Sequence, residues 1–260
     1  MKQATPTSLR MFALPGIPEI RKGDDLAALI AQGMSACHEQ WQTGDIVVIA
    51  QKIVSKAEGR TRRLADITPT ARALEIAAQS GKDARKVQAI LDESTDIVRV
   101  AAFPPDGLVI ARHRDGWVCA NAAIDESNVG EDDVLLLLPE SPDGSARRIA
   151  DALQASADVS VGVVITDTFG RAWRRGLVNV AIGVANVPAM ISWIGQPDAY
   201  GRTLHVSEPA FADEIAAATG LLMGKDSGTP VMIVRGLVWD VDVLANAKQL
   251  VRPKKEDLFL

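Results

Sequence analysis

The chain has 260 residues, 47% of them hydrophobic and 23% charged, a balance that suits a globular protein with a sizeable core. Its 28 basic against 33 acidic residues leave a formal charge of −5, which argues against a nucleic-acid sleeve or a polybasic membrane binder. The two cysteines, Cys37 and Cys119, exclude a disulfide framework and a thiolate zinc site, and 4% aromatic residues leave little for base stacking.

Met1 to Arg10 is polar and carries no signal-peptide apolar run. Gly23-Asp24-Asp25 followed by apolar spacing from Leu26 to Met34 predicts a helix with acidic residues at its start. Gly44-Asp45 then turns the chain into Ile46–Ala50, a buried strand, and the polar segment Gln51–Arg63 reads as a connecting loop. Thr68-Pro69 predicts the cap and first turn of a helix running towards Gly81, and a second helix covers Asp83–Leu91. Strands follow at Ile97–Ala102, Leu108–Arg112 and Trp117–Ala120, with turns at Pro104–Gly107 and Asp115-Gly116. Val134–Leu138 is a further buried strand, Asp143-Gly144-Ser145 opens a helix to about Ala155, and Val159–Ile165 is a strand ending at Thr166-Asp167.

The uncharged stretch from Leu177 to Pro197 is long enough to raise the question of a membrane span. Asn179, Gly183, Asn186, Pro188, Ser192 and Gly195 break it, and in a bilayer those breaks would leave backbone groups unpaired. Its Val and Ile content predicts two buried strands joined by a turn at Asn186–Pro188. A helix over about Pro209–Leu222 and a strand at Val231–Val234 complete the pattern. Irregular alternation with hairpins predicts an α+β architecture, mixed sheets with flanking helices, over a doubly wound parallel sheet. One domain over residues 1–260 is expected, with two sub-lobes that meet within Leu64–Thr70 and a second crossing near Ser207–Pro209. No nucleic acid and no membrane is expected as a partner, and the cytoplasm is the expected location.

Several familiar sites are absent. Gly81-Lys82 and Gly224-Lys225 are each followed by Asp, so neither is a phosphate-binding P-loop. No GxGxxG follows a strand, and His38, His113 and His205 lack zinc-hydrolase spacing. No GxSxG nucleophile elbow occurs. Any chemistry therefore rests on carboxylates, cations and loops.

Four segments could supply it. Gln51-Lys52-Ile53-Val54-Ser55-Lys56-Ala57-Glu58-Gly59-Arg60 follows a strand and gathers cations where phosphates bind, or is a solvated basic loop. Asn121-Ala122-Ala123-Ile124-Asp125-Glu126-Ser127-Asn128 offers oxygens to a hard divalent cation, or is a polar turn closed by its own side chains. Thr166-Asp167-Thr168-Phe169-Gly170-Arg171-Ala172-Trp173-Arg174-Arg175-Gly176 places a carboxylate and hydroxyls beside three arginines, which suits a metal and a polyanion or substrate carboxylates. Met223-Gly224-Lys225-Asp226-Ser227-Gly228-Thr229-Pro230 is a connecting loop or a wall of a nucleotide pocket, and Leu14-Pro15-Gly16-Ile17 carries the same two readings.

In this order the segments resemble the coenzyme F420-0:L-glutamate ligase family, over about Phe12 to Gly236. The resemblance implies an F420 γ-glutamyl ligase-like fold with two interwoven lobes and an intertwined homodimer. It also implies GTP-dependent addition of L-glutamate to F420-0, a deazaflavin precursor, first through an α-amide and then through a γ-linkage. Mn²⁺ or Mg²⁺ is implied, with K⁺ as the helping monovalent cation. By motif position, Asp125 and Asp167 are the implied metal ligands, with Thr168 at a second metal. Leu14, Pro15, Gly16, Ile17, Gln51, Lys52, Lys56, Asn128 and the loop Met223, Gly224, Lys225, Asp226, Ser227, Gly228, Thr229, Pro230 are implied to line the nucleotide. Lys52 would offset charge on the transferred phosphoryl group, while Arg171, Arg174 and Arg175 would grip the carboxylates of glutamate or the phosphodiester of the acceptor. Ala123 stands where the family pattern has Gly, and Lys225 where it has an oxygen-bearing Gln, which a protonated lysine cannot replace as a ligand. Two rivals stay open at this stage: a ligase of the same fold with another carboxylate acceptor, and a catalytically impaired nucleotide-binding subunit.

Overall fold

The computed structural model describes residues 8–126, 133–224 and 228–257. In chain order its main elements are β1 (Arg10–Ala13), α1 (Leu26–Ala36), β2 (Ile46–Ala50), α2 (Gln51–Glu58), β3 (Thr61–Arg63), α3 (Ala71–Ser80), α4 (Ala84–Asp92) and β4 (Ser94–Ala101). They continue with β5 (Leu108–His113), β6 (Val118–Ala120), β7 (Val134–Leu136), α5 (Pro142–Ala157), β8 (Gly162–Arg171), β9 (Arg174–Ala185), α6 (Phe211–Thr219) and β10 (Val231–Arg235). The architecture is α+β, as the mixed spacing predicts.

The apolar runs Ile46–Ile49 and Val231–Val234 are buried along their whole length, which places both strands inside the five-stranded sheet β1-β10-β2-β8-β9. Only β2 and β8 run parallel; the other neighbours are antiparallel. Both α5 and α6 pack against β9. The principal core gathers around this sheet and includes Leu14, Ile30, Met34, Ile49, Leu153 and Ile165. A three-stranded sheet β4-β5-β6 buries Val109 and Ala111 against Ala73 and Ile76 of α3 and Val87 and Ile90 of α4. A two-stranded ribbon, β3-β7, completes the strands.

Elementary capping chemistry sets three of the six helix starts among the described residues. Asp25 accepts the Ala28 N–H, Thr70 the Ala73 N–H and Asp83 the Arg85 N–H. The cap of α3 is thus Thr70, not Thr68-Pro69. At the amino end of β2, fully buried Asp45 receives both the Nε (2.7 Å) and Nη2 (2.8 Å) of Arg235 and the N–H of Gln42 (3.0 Å). Bidentate geometry compensates the buried charge and locks β10 to the start of β2.

The structure corrects four further expectations. Gln51–Arg63 is not a loop: Gln51–Glu58 is helical and Thr61–Arg63 a strand. Its buried face combines Ile53 and Val54 with Gln51 and Ser55, whose polarity hides the helical spacing. Thr166–Arg171 continues β8, so the carboxylate and hydroxyls lie within a strand and not beyond its end. Leu177–Pro197 holds one strand, not two; Asn186 turns the chain at φ +58°, after which Val187 and Ala189 are buried outside any strand. Apolar content there reports burial, not ladder pairing. Finally, the edge strand β1, short and half-exposed, begins within the segment that reads as merely polar. Among the described residues no helix is long and apolar enough to cross a membrane.

Candidate functional site

Strand β2 ends at Ala50, which pairs with Thr166 midway along β8. A cavity of about 650 Å³ opens at this carboxyl edge, where open sheets with crossover helices place their ligands. Helix α2 starts at once, and no side chain caps its first turn. Its leading residues Gln51, Lys52 and Ile53 line the cavity, so the amino end of the helix, the positive end of its dipole, sits at the cavity wall.

Lys52 reaches across to Asp125, Nζ to Oδ2 2.6 Å, both side chains partly buried. Asp125 is held there by its backbone, whose N–H and C=O form a bridge to Leu136 of β7 at 3.0 and 2.9 Å. The approach to it is unusual: Asn121, Ala122 and Ala123 have φ of +53°, +52° and +58°. Three successive left-handed residues without a glycine are strained, and Ala123 accordingly carries a cost at the position where the family pattern has Gly. Beyond Asp125, Glu126 pairs with Lys86 of α4 at 2.5 Å.

Asp167 is the most perturbed acid of the site. Burial pushes its carboxyl up to about 7; the Thr168 N–H opposes this, the Asp125 charge adds to it, and Lys52 and Gln51 oppose it. Gln51 itself is buried, with Oε1 accepting the Ser55 hydroxyl at 2.8 Å and Nε2 making no full hydrogen bond among the described residues. Thr166 is tied to the partner strand through Oγ1 to Val180 O at 2.9 Å, and Thr168 Oγ1 donates to Asn179 Oδ1 at 2.9 Å. At the outer wall Lys56 pairs with exposed Glu19 at 2.5 Å.

The cavity thus brings together Ile17, Gln51, Lys52, Lys56, Asp125, Asp167, Thr168, Met223, Gly224, Gly228, Thr229 and Pro230 from the sequence-derived set. Leu14 does not line it but is fully buried in the core, and Pro15 and Gly16 stand exposed beside it. Arg171, Arg174 and Arg175 are exposed at the tip of the β8–β9 hairpin and do not line this chain's cavity; Arg171 Nη2 instead donates to Arg175 O at 3.1 Å. Asn128, Lys225, Asp226 and Ser227 lie outside the described residues. The sequence reading missed Glu19 and Asn179, both lining residues. Glu19 closely follows the Leu14–Ile17 segment, which gave a signal, whereas Asn179 depends on strand register and gave none.

Two carboxylates and a hydroxyl are hard oxygen donors of the kind Mg²⁺ or Mn²⁺ takes together with phosphate and water oxygens. Among the described residues no three His, Cys, Asp or Glu side chains gather as a metal site, so Asp125 and Asp167 could hold a cation only with such outside ligands, and Thr168 could serve a second. Burial and, to a lesser degree, the Asp125 charge raise the Asp167 carboxyl, and a cation there would favour its ionised form.

The chain is a ligase. Residues 16–236 match the family model described as F420-0:Gamma-glutamyl ligase, and the chain belongs to that family. It is 43% identical to the coenzyme F420:L-glutamate ligase of Methanothermobacter thermautotrophicus over 253 residues, 96% of this chain and 98% of that one. The enzyme of the same name from Archaeoglobus fulgidus is 43% identical over 252 residues, 96% of each chain, and that of Halobacterium salinarum 44% over 234 residues, 87% of each.

Proposed function

We propose that the chain is a GTP-dependent ligase that adds L-glutamate to F420-0, working as a cytoplasmic homodimer with Mn²⁺ or Mg²⁺ and K⁺. The observation that carries this reading is the meeting of Lys52, Asp125 and Asp167 at one cavity beside the uncapped start of α2. Family membership and similarity over nearly the whole chain supply the substrates.

In this reading a carboxylate oxygen of the acceptor attacks the γ-phosphorus of GTP. The bond to the β–γ bridging oxygen breaks, GDP leaves, and an acyl phosphate forms. The glutamate amine then attacks the acyl carbon, inorganic phosphate departs, and the amine proton passes to solvent as the amide is made. Phosphoryl transfer asks the protein mainly for alignment and charge neutralisation. The α2 amides and Lys52 face the phosphates, and Lys56 joins them by leaving Glu19, whose 73% exposed side chain makes that pair weak. Divalent cations, one held by Asp125 and Asp167 and a second at Thr168, would neutralise phosphate charge. Asp125 and Asp167 are fixed for that task by the β7 bridge and by the interior of β8. Arg171, Arg174 and Arg175 do not line this chain's cavity; in this reading their grip on glutamate or acceptor is made in the site of a second copy.

Incubation of the purified chain with F420-0, L-glutamate, GTP and Mn²⁺, followed by mass spectrometry, tests the reading. Product heavier by one or more glutamyl residues, formed only with nucleotide and metal, is expected. Turnover of a different carboxylate acceptor in preference to F420-0, or no ligation at all, would overturn it.

A further inference from the structure

A threonine hydroxyl has one proton and two lone pairs. To offer a lone pair to a cation it must send its proton to an acceptor elsewhere, and the structure shows which one. Thr168 and Asn179 are direct partners across the β8–β9 ladder, and Thr168 Oγ1 donates to Asn179 Oδ1 at 2.9 Å. Both residues line the cavity.

The Asn179 amide is itself constrained from behind. Gly220, just after α6, has ordinary right-handed backbone angles, φ −56° and ψ −23°, so conformation does not require a glycine there. Space is tight: a Cβ at that position would stand 3.1 Å from Ala217 O, 3.2 Å from Asn179 Nδ2 and 3.3 Å from its Cγ, so a neighbour would have to give by a few tenths of an ångström. Helix α6 is held against β9 close by, since Asp213 Oδ1 accepts the Ala181 N–H at 2.8 Å. The helix cannot easily retreat, and a larger residue at 220 would press on the amide.

We propose that Asn179 is a positioning residue that takes the Thr168 hydroxyl proton and turns its lone pairs to the cavity, and that Gly220 is glycine to leave room for it. This rests on the reading above that Thr168 helps hold a divalent cation. Outer partners of metal ligands commonly change affinity by roughly ten- to a hundredfold when removed, and an effect of that order is expected here.

The test is Mn²⁺ titration of the full chain with GDP present, free ion being read by electron paramagnetic resonance and folding by thermal midpoint. Thr168→Val, Asn179→Ala and Gly220→Ala should each weaken Mn²⁺ binding about tenfold or more. Asn179→Asp, which keeps the acceptor oxygen, should bind no more weakly than the parent. Adding Gly220→Ala to Asn179→Ala should cost nothing further, because no amide remains to be displaced; adding Thr168→Val to it should likewise be non-additive. If Thr168→Val alone leaves binding unchanged, the assignment of Thr168 fails and the inference with it. If Thr168→Val weakens binding while Asn179→Ala does not, or if Gly220→Ala is equally harmful in both backgrounds, the inference alone is overturned.

Discussion

Asp143, near the start of α5, joins three parts of the chain through one oxygen. Its Oδ1 accepts the N–H of Val184 in β9 at 2.8 Å and that of Ala247 at 2.9 Å. Asp143→Ala leaves two amides without their acceptor. At about 1–3 kcal/mol for each such group, the expected loss is roughly 2–6 kcal/mol. Asp143→Asn keeps an oxygen in the same place and removes a charge that burial disfavours, so at neutral pH it should stay within about 1 kcal/mol of the parent. The pH dependence has a definite sign. Burial raises the Asp143 carboxyl above its ordinary value, against the pull of the Ala247 and Val184 amides. The native state therefore holds the proton to higher pH than the unfolded chain does. The stability this contributes is complete below about pH 3.9, the unfolded value, and is lost as pH rises through the native value. The parent should thus lose ground to Asp143→Asn between mildly acidic and neutral pH. Urea denaturation of the three chains across that range, with unchanged m-values, is the assay. Equal losses for Ala and Asn, or an Ala variant within about 0.5 kcal/mol of the parent, would refute the assigned hydrogen bonds.

Other expectations follow from the same contacts. Asp45→Ala removes the bidentate partner of Arg235 at the end of the sheet remote from the cavity and leaves the guanidinium its bonds to Glu39 and Gln40 O; a loss of about 1.5–3 kcal/mol in denaturation is expected, with the turnover number of the folded fraction unchanged. Gly183→Ala puts a Cβ 2.5 Å from the Pro142 carbonyl carbon, and a lower thermal midpoint corresponding to about 1–3 kcal/mol is expected. Ala123→Gly relieves a residue at φ +58°; strain relief exceeds the entropy cost of glycine, giving a gain of about 0.5 kcal/mol that calorimetry can read.

What the sequence made legible divides along physical lines. Ile46–Ala50, Leu26–Ala36, Ala84–Asp92 and Val231–Arg235 emerge because their apolar residues and their Gly or Asp boundaries act locally. Helix α2 does not, because buried Gln51 and Ser55 look like surface residues until their mutual hydrogen bond is seen. The site splits in the same manner. Lys52, Asp125 and Asp167 stand in chemically dense segments, and the structure brings all three to one cavity. Asn179 reaches Thr168 only because β9 bulges at Ile182, shifting the register between Ile165–Gly183 and Thr166–Ala181; no local pattern encodes that. The arginines at 171–175 are not brought to this chain's cavity, and their charge density is the same for a binding loop and for an exposed hairpin tip.

The central claim is that Asp167 works at the reacting phosphates, and Asp167→Asn examines it most directly. This change keeps side-chain volume at a cavity wall and removes one charge. With F420-0, L-glutamate, GTP and Mn²⁺, ligation should fall by about a thousandfold or more, the equivalent of several kcal/mol of transition-state stabilisation, while the thermal midpoint holds. Ligation by a fully folded Asp167→Asn chain within about tenfold of the parent, about 1.4 kcal/mol, would contradict the claim.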